Sequence, residues 1–139
     1  MDGYPVVIDV EPRFRDTDAM GHLNNVVYLT YFEVARAAYW QRLTGERDYR
    51  KVTFILAHLS VDFRSEGNVG EILQVGMRVI RLGTSSFEAE YRIEEQSQSR
   101  LVAEGRSVMV MYDYQRTRTY AMPEDLKEKV RALEQKPQL

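Results

Sequence analysis

The sequence predicts an α+β domain in which one long helix lies across an antiparallel sheet. Three observations predict it. A single long stretch of helical periodicity occurs early, at residues 25–43. From residue 52 to about residue 120 the chain alternates apolar and polar residues with the period of two that half-buried strands require. A segment rich in Val and Ile precedes the helix, so the order is strand, long helix, then four strands. With 139 residues the chain is read as one domain, 1–139. Such a domain buries about two thirds of its unfolded surface, enough for a core without disulfides.

Each element has its own signal. Residues 4–14 carry Val6, Val7, Ile8 and Val10 and read as the first strand. Residues 15–24 hold Asp, Thr, Gly and Asn, the chemistry of a loop. Asn24 or Asn25 suits a helix N-cap. Val27, Tyr31, Val34, Ala35, Ala38 and Tyr39 then recur at helical spacing, and Glu33 and Arg36, three apart, can pair on the helix surface. Gly45 is a natural left-handed stop. In residues 53–63 one face is Ile55, Ala57, Leu59, Val61 and Phe63, and the other includes His58, Ser60, Asp62 and Arg64. Residues 65–68 form a turn and residues 71–82 a third strand. Gly83, Thr84 and Ser85 turn tightly into residues 86–95, where Phe87, Ala89, Tyr91 and Ile93 alternate with Glu88, Glu90, Arg92 and Glu94. That charged face is either wet or in polar contact. Residues 100–112 form a fifth strand, with an extension through 118–120. Pro123 opens a short helix over 124–135, and residues 136–139 fray. A sheet of about five strands under one helix leaves its edges open, and pairing the edges of two copies would close them.

Composition excludes several classes. A net charge of −2 gives no electrostatic case for nucleic acid. The absence of cysteine removes disulfides, thiolate metal sites and cysteine nucleophiles. No apolar run approaches the roughly 20 residues of a membrane span. The first residues show no signal-peptide pattern, which points to the cytoplasm. Neither a metal nor a cofactor is expected.

Chemistry concentrates between Arg13 and Arg36. Asp16, Asp18, His22, Asn24 and Asn25 fall within ten residues, immediately before the helix. Plain turn formation and helix capping would account for these residue types. A calcium loop fails because Met20 and Val27 stand where oxygen ligands are needed. A zinc site would have His58 as its sole other histidine, and an aspartyl phosphatase needs a doubly wound parallel sheet. Acyl transfer uses every residue. An aspartate can act as nucleophile or as base toward water, a helix-start N–H can polarise a thioester carbonyl, and His22 can orient a group or share the proton work.

The run from Arg15 to Asn25, followed by Tyr28, by Tyr31-Phe32-Glu33 and by Ala35-Arg36, resembles the signature of acyl-CoA and acyl-carrier-protein thioesterases of the 4-hydroxybenzoyl-CoA thioesterase type. The likeness continues in Arg81–Phe87, in Tyr112-Asp113 and in Pro123-Glu124. It implies the hotdog fold, a long central helix wrapped by a curled antiparallel sheet, with two subunits joined edge to edge into a homodimer and often into a homotetramer. It implies hydrolysis of an acyl-CoA or acyl-carrier-protein thioester to an acid and a free thiol. Asp18 matches the catalytic carboxylate, the backbone N–H of Asn25 faces the thioester carbonyl, and His22 with Asn24 and Asn25 matches the H-x-N-N form of long-chain acyl thioesterases. Met20 replaces the asparagine of plant members. Gly83, Thr84 and Ser85 replace the basic cluster that some benzoyl-CoA members use for the CoA phosphates, which leaves Arg64 and Arg81 as phosphate candidates. Asn24, Tyr28, Ser85 and Ser86 complete the substrate-binding set. The alternatives in other classes are a non-catalytic acyl-thioester-binding protein and a hydratase-type lyase. Fold hydratases carry a proline and place histidine five residues after the aspartate, whereas His22 lies four after Asp18.

Overall fold

The helix starts and stops where its punctuation demands. In the computed structural model, which describes residues 1–139 apart from the side chain of Tyr49, helix α1 spans Asn25–Thr44. The Asn24 side chain accepts a hydrogen bond from the Val26 N–H, a cap of about 1 kcal/mol. Gly45 takes φ 74° and donates its N–H to the Gln41 carbonyl. That left-handed conformation costs glycine nothing.

Six antiparallel strands surround α1. They are β1 (Val6–Val10), β2 (Phe54–Phe63), β3 (Leu73–Leu82), β4 (Ser86–Glu95), β5 (Arg100–Asp113) and β6 (Arg118–Thr119). The order across the sheet is β1-β3-β4-β5-β2, and β6 pairs back onto the end of β5. Helix α2 (Glu124–Glu134) follows. The predicted α+β fold therefore stands, with β6 a separate short strand.

The core lies between α1 and the concave face of the sheet. Tyr28, Tyr31, Phe32, Ala35, Tyr39 and Trp40 meet Val75, Met77, Val79, Phe87, Ala89, Tyr91, Met109 and Met111. The helix presses closest at Phe32, whose ring stacks on Tyr91 at 4.7 Å. Gly105 makes this approach possible, since a Cβ there would lie 2.5 Å from the Phe32 ring. Burying such an aromatic contributes about 2–3 kcal/mol.

Several expectations need correction. The first strand is shorter than residues 4–14, because residues 14–16 turn into a 3-10 helix. The buried helix face is rotated relative to the predicted one: Val34 is exposed while Tyr28, Phe32 and Arg36 are buried. Aromatic bulk, rather than aliphatic count, sets the inner face. Arg36 consequently leaves Glu33 and donates from Nη1 to the Tyr91 hydroxyl at 3.1 Å. In β2 a bulge between Leu56 and His58 breaks the alternation. Phe54 and Leu56 precede it and Leu59, Val61 and Phe63 follow on the same face, so Ile55 leaves the predicted apolar row. The terminal residues 136–139 are tied down: Arg131 Nε donates to the Leu139 carbonyl at 2.7 Å, and Leu139 packs on the core. The charged face of β4 carries a mesh of ion pairs, with Glu90 between Arg78 and Arg106 at 2.7 Å each and Glu104 between Arg92 and Arg64.

Candidate active site

A small hairpin delivers the acidic motif to the start of α1. Thr17 bridges Leu23, and the Asp18 N–H donates to the His22 carbonyl at 2.8 Å. The Gly21 N–H closes the turn onto the Asp18 carbonyl, with Gly21 at φ 82°. Aspartate at the first position and glycine at the fourth suit such a turn. The base of the hairpin is fixed to the helix by the Asn24 N–H, which donates to the Asp16 carbonyl at 2.8 Å.

The two aspartates have opposite environments. Asp16 is buried and serves the loop. It accepts from the Arg13 N–H at 2.8 Å, from Arg13 Nη2 at 3.1 Å and from the Tyr31 hydroxyl at 3.4 Å. The Arg13 hydrogen bonds hold its carboxyl below the usual aspartate value. Burial, together with the Asp16 charge, pushes the Tyr31 hydroxyl upward. Asp18 is exposed. Its Oδ1 accepts the N–H groups of Met20 (2.8 Å) and His22 (3.2 Å), which fixes the carboxylate plane. Among the described residues nothing donates to Oδ2, so that oxygen is available to a water or a substrate.

The helix start supplies the complementary donor. The first N–H groups of a helix have no intrahelical acceptor. The Asn24 side chain takes the Val26 N–H and its carbonyl takes the Val27 N–H. The Asn25 N–H has no partner among the described residues, and it carries the positive end of a 20-residue helix. His22 lies half-buried beside this start, with Nε2 3.4 Å from Glu66 Oε2. The Tyr28 hydroxyl accepts the Gly67 N–H at 3.1 Å, and the ring packs edge-on against Phe63, so Tyr28 forms wall behind the motif. The arrangement is a free carboxylate oxygen and an imidazole on one short hairpin, followed two residues later by an unpaired N–H at the helix start, groups that acyl transfer can use.

The sequence profile that matches the chain covers residues 12–130, hairpin, helix and sheet together. The chain belongs to the thioesterase-like superfamily. A thioesterase from Thermus thermophilus, solved in complex with coenzyme A and Zn, is similar over 99% of both chains at 36% identity and a TM-score of 0.90. A predicted thioesterase from Bacillus stearothermophilus is similar in fold, with a TM-score of 0.85 at 24% identity over 91% of this chain and 94% of that one. An uncharacterized Bacillus subtilis protein, YsmA, is 29% identical over 82 residues. That match spans 59% of this chain and 56% of YsmA, little more than half of the relative's length. Family and fold thus agree on a thioesterase-like protein.

The other residues expected from the superfamily resemblance are dispersed within one chain. Arg64 follows β2 at the Asp18 end of the sheet, and its guanidinium faces Glu104 (3.2 Å) and Asp62 (3.8 Å). Arg81, Ser85 and Ser86 lie at the other end. The ten residues of β3 separate them from the hairpin by roughly 30 Å, at about 3.3 Å per residue. Arg81 is 3.8 Å from Glu88 and largely exposed. The Ser85 carbonyl accepts the Met111 N–H, and the Ser86 carbonyl accepts the Gly83 N–H, each at 2.7 Å. Neither of two sizeable hollows contains Asp18. One, of about 550 Å³, overlies the charged outer face of the sheet. The other, of about 500 Å³, flanks the second half of α1 and is lined by Val34, Ala37, Trp40, Val52, Phe54 and Tyr114. Among the described residues no three His, Cys, Asp or Glu side chains gather so as to hold a metal ion. No helix is long and apolar enough to cross a membrane.

Sequence reasoning missed the separate duty of Asp16. The signal was present in its spacing of three from Arg13, whose backbone N–H and guanidinium both donate to the Asp16 carboxylate. It missed Arg36 as a buried residue, and no local signal marks that inward turn.

Proposed function

We propose that this chain hydrolyses an acyl-CoA thioester to a carboxylic acid and free coenzyme A, with Asp18 as its acid–base or nucleophilic group. The observation that carries the reading is the division of labour at Asp18: one oxygen is held by two backbone N–H groups and the other is free. Coenzyme A is favoured over a carrier protein because the Thermus relative is solved with it. In the general-base route Asp18 takes a proton from water as the water oxygen bonds to the thioester carbon. The Asn25 N–H stabilises the oxyanion, the C–S bond breaks, and the Asp18 proton leaves with the thiolate sulfur. In the nucleophilic route Oδ2 bonds to the carbonyl carbon and the C–S bond breaks to release the thiolate; water then cleaves the mixed anhydride, returning the Asp18 carboxylate and the free acid, and its remaining proton goes to the thiolate. His22 orients the substrate or relays a proton in either route.

A homodimer completes the site in this reading. The free edge of β2 and the exposed side chains of Leu56, Phe63, Val26 and Val34 are the surface that a second copy would cover. Edge pairing would carry the partner's β3–β4 turn toward this hairpin. That gives Arg81, Ser85 and Ser86 a proposed role at the CoA end of a substrate bound between subunits, with Arg64, Asn24 and Tyr28 on the near side. Assembly into a homotetramer is the further proposal for the charged outer face.

A thiol-release assay over short, long and aromatic acyl-CoAs tests the activity. Release of one thiol per ester consumed is expected with at least one class. Binding of CoA esters without thiol release would leave Asp18 as a turn residue only. Absorbance change of an enoyl-CoA without thiol release would point instead to a lyase.

A further inference from the structure

The loop between β2 and β3 is built onto the acidic hairpin, and it brings a second carboxylate to His22. The Leu23 N–H donates to the Gly67 carbonyl at 3.3 Å, and the Gly67 N–H donates to the Tyr28 hydroxyl at 3.1 Å. A Cβ at Gly67 would meet Leu23 Cδ1 at 2.6 Å, so the missing side chain lets the buried Leu23 lie directly against this loop. From the other side Arg100 clamps the loop. Its Nη1 donates to the Glu66 carbonyl at 2.5 Å and to Ser65 Oγ at 2.8 Å, while its Nη2 pairs with Glu71. Ser65 Oγ in turn donates to the Leu101 carbonyl at 2.6 Å. The backbone of Glu66 is thus fixed against both the sheet and the hairpin, and its carboxylate stands 3.4 Å from His22 Nε2. This contact is long for a hydrogen bond. Both side chains are about half exposed, so a small rotation closes it, as happens when such sites bind substrate.

We infer that Glu66 is a positioning residue for His22 in the thioesterase reaction. The inference rests on the proposed function for its catalytic meaning and on geometry alone for the His22–Glu66 pairing. A carboxylate at Nε2 makes that nitrogen the N–H donor, so the neutral ring presents Nδ1 as its lone pair. The His22 backbone N–H is meanwhile anchored to Asp18 Oδ1 at 3.2 Å. Ring and carboxylate are therefore oriented from opposite sides, the ring by Glu66 and the Asp18 plane by the hairpin. Glu66 itself need not touch the substrate.

The test combines kinetics with nitrogen NMR. The chain has two histidines, so His58→Gln assigns both rings. In the wild type His22 is expected as the Nε2–H tautomer when neutral. Glu66→Leu is expected to give a mixture of tautomers, to lower kcat about fivefold, the upper range for a half-exposed charge pair, and to leave KM within about twofold. Glu66→Asp is expected to recover part of the kcat. Thermal stability should not change, which separates positioning from a structural role. An unaltered kcat and an unaltered tautomer in Glu66→Leu would overturn the inference. The NMR readout needs no substrate, so a wild-type chain without thiol release would refute the thioesterase reading and leave the pairing to be judged by the tautomer.

Discussion

Asp16 and Asp18 are two residues apart and chemically identical, yet one is buried in the loop and the other is exposed with one carboxylate oxygen free of donors among the described residues. Asp16 is buried against Arg13 and Tyr31 and its carboxyl is held low by the Arg13 hydrogen bonds. A carboxyl whose folded value is depressed stabilises the fold above its ordinary value and loses that contribution as pH falls through the folded value. Thermal unfolding of the wild type should therefore decline below about pH 3.8, the ordinary value, and Asp16→Asn should show a flatter acid limb with a lower plateau near neutrality. Equal acid limbs for the two proteins would contradict the assignment. Sequence reading found both aspartates but could not rank their environments, because the partners that separate them, Arg13 and Tyr31, lie on either side in the chain and converge only in the folded loop.

Elements were legible where a residue type has one backbone use. Asn24 and Gly45 bracket α1 as expected, and β4 occupies residues 86–95 as expected, because a cap, a left-handed glycine and a clean alternation leave little choice. Packing decided the rest. The rotated inner face of α1, the bulge in β2 and the inward Arg36 all depend on what faces them across the core. Helix α2 shows the same dependence. Its Glu134 is buried and accepts the Tyr39 hydroxyl and the Val79 N–H, each at 2.7 Å. The Val79 N–H is free to donate there because β1 pairs with β3 only over Leu73–Met77 and leaves Val79 without a strand partner on that side. Burial raises the Glu134 carboxyl above its ordinary value. A raised acid favours folding at low pH, and that part of the stability is lost as pH rises from 4.5 through the folded value. Glu134→Gln keeps an oxygen acceptor and removes the titration, so its stability should vary less with pH across that window. A chemical-denaturation series from pH 4 to 8 reads the difference, and parallel curves would contradict the burial argument.

At the scale of the molecule, one chain displays an exposed carboxylate at one end of its sheet and three of the expected substrate residues, Arg81, Ser85 and Ser86, at the other. In the proposed homodimer a second copy across the β2 edge would resolve that separation. Sedimentation equilibrium of the wild type should report twice the 16.3 kDa chain mass or a multiple of it. Leu56→Glu places a charge on the uncovered side chain beside that edge and should shift the protein toward monomer with loss of turnover and an unchanged far-UV spectrum. A fully active wild-type monomer would contradict the shared site. The fold's order and the motif were legible in one sequence, whereas which surface a second copy would cover is not, since periodicity reports which face is buried and not by whom.

The central claim is that the free oxygen of Asp18 performs the chemistry, and Asp18→Asn isolates it. The amide keeps an Oδ1 acceptor for the Met20 and His22 N–H groups, so the hairpin should persist. Thiol-release kcat, measured beside the wild type with the acyl-CoA that turns over fastest, should fall by at least about a hundredfold while unfolding temperature is unchanged. Turnover within a few-fold of the wild type would contradict the account.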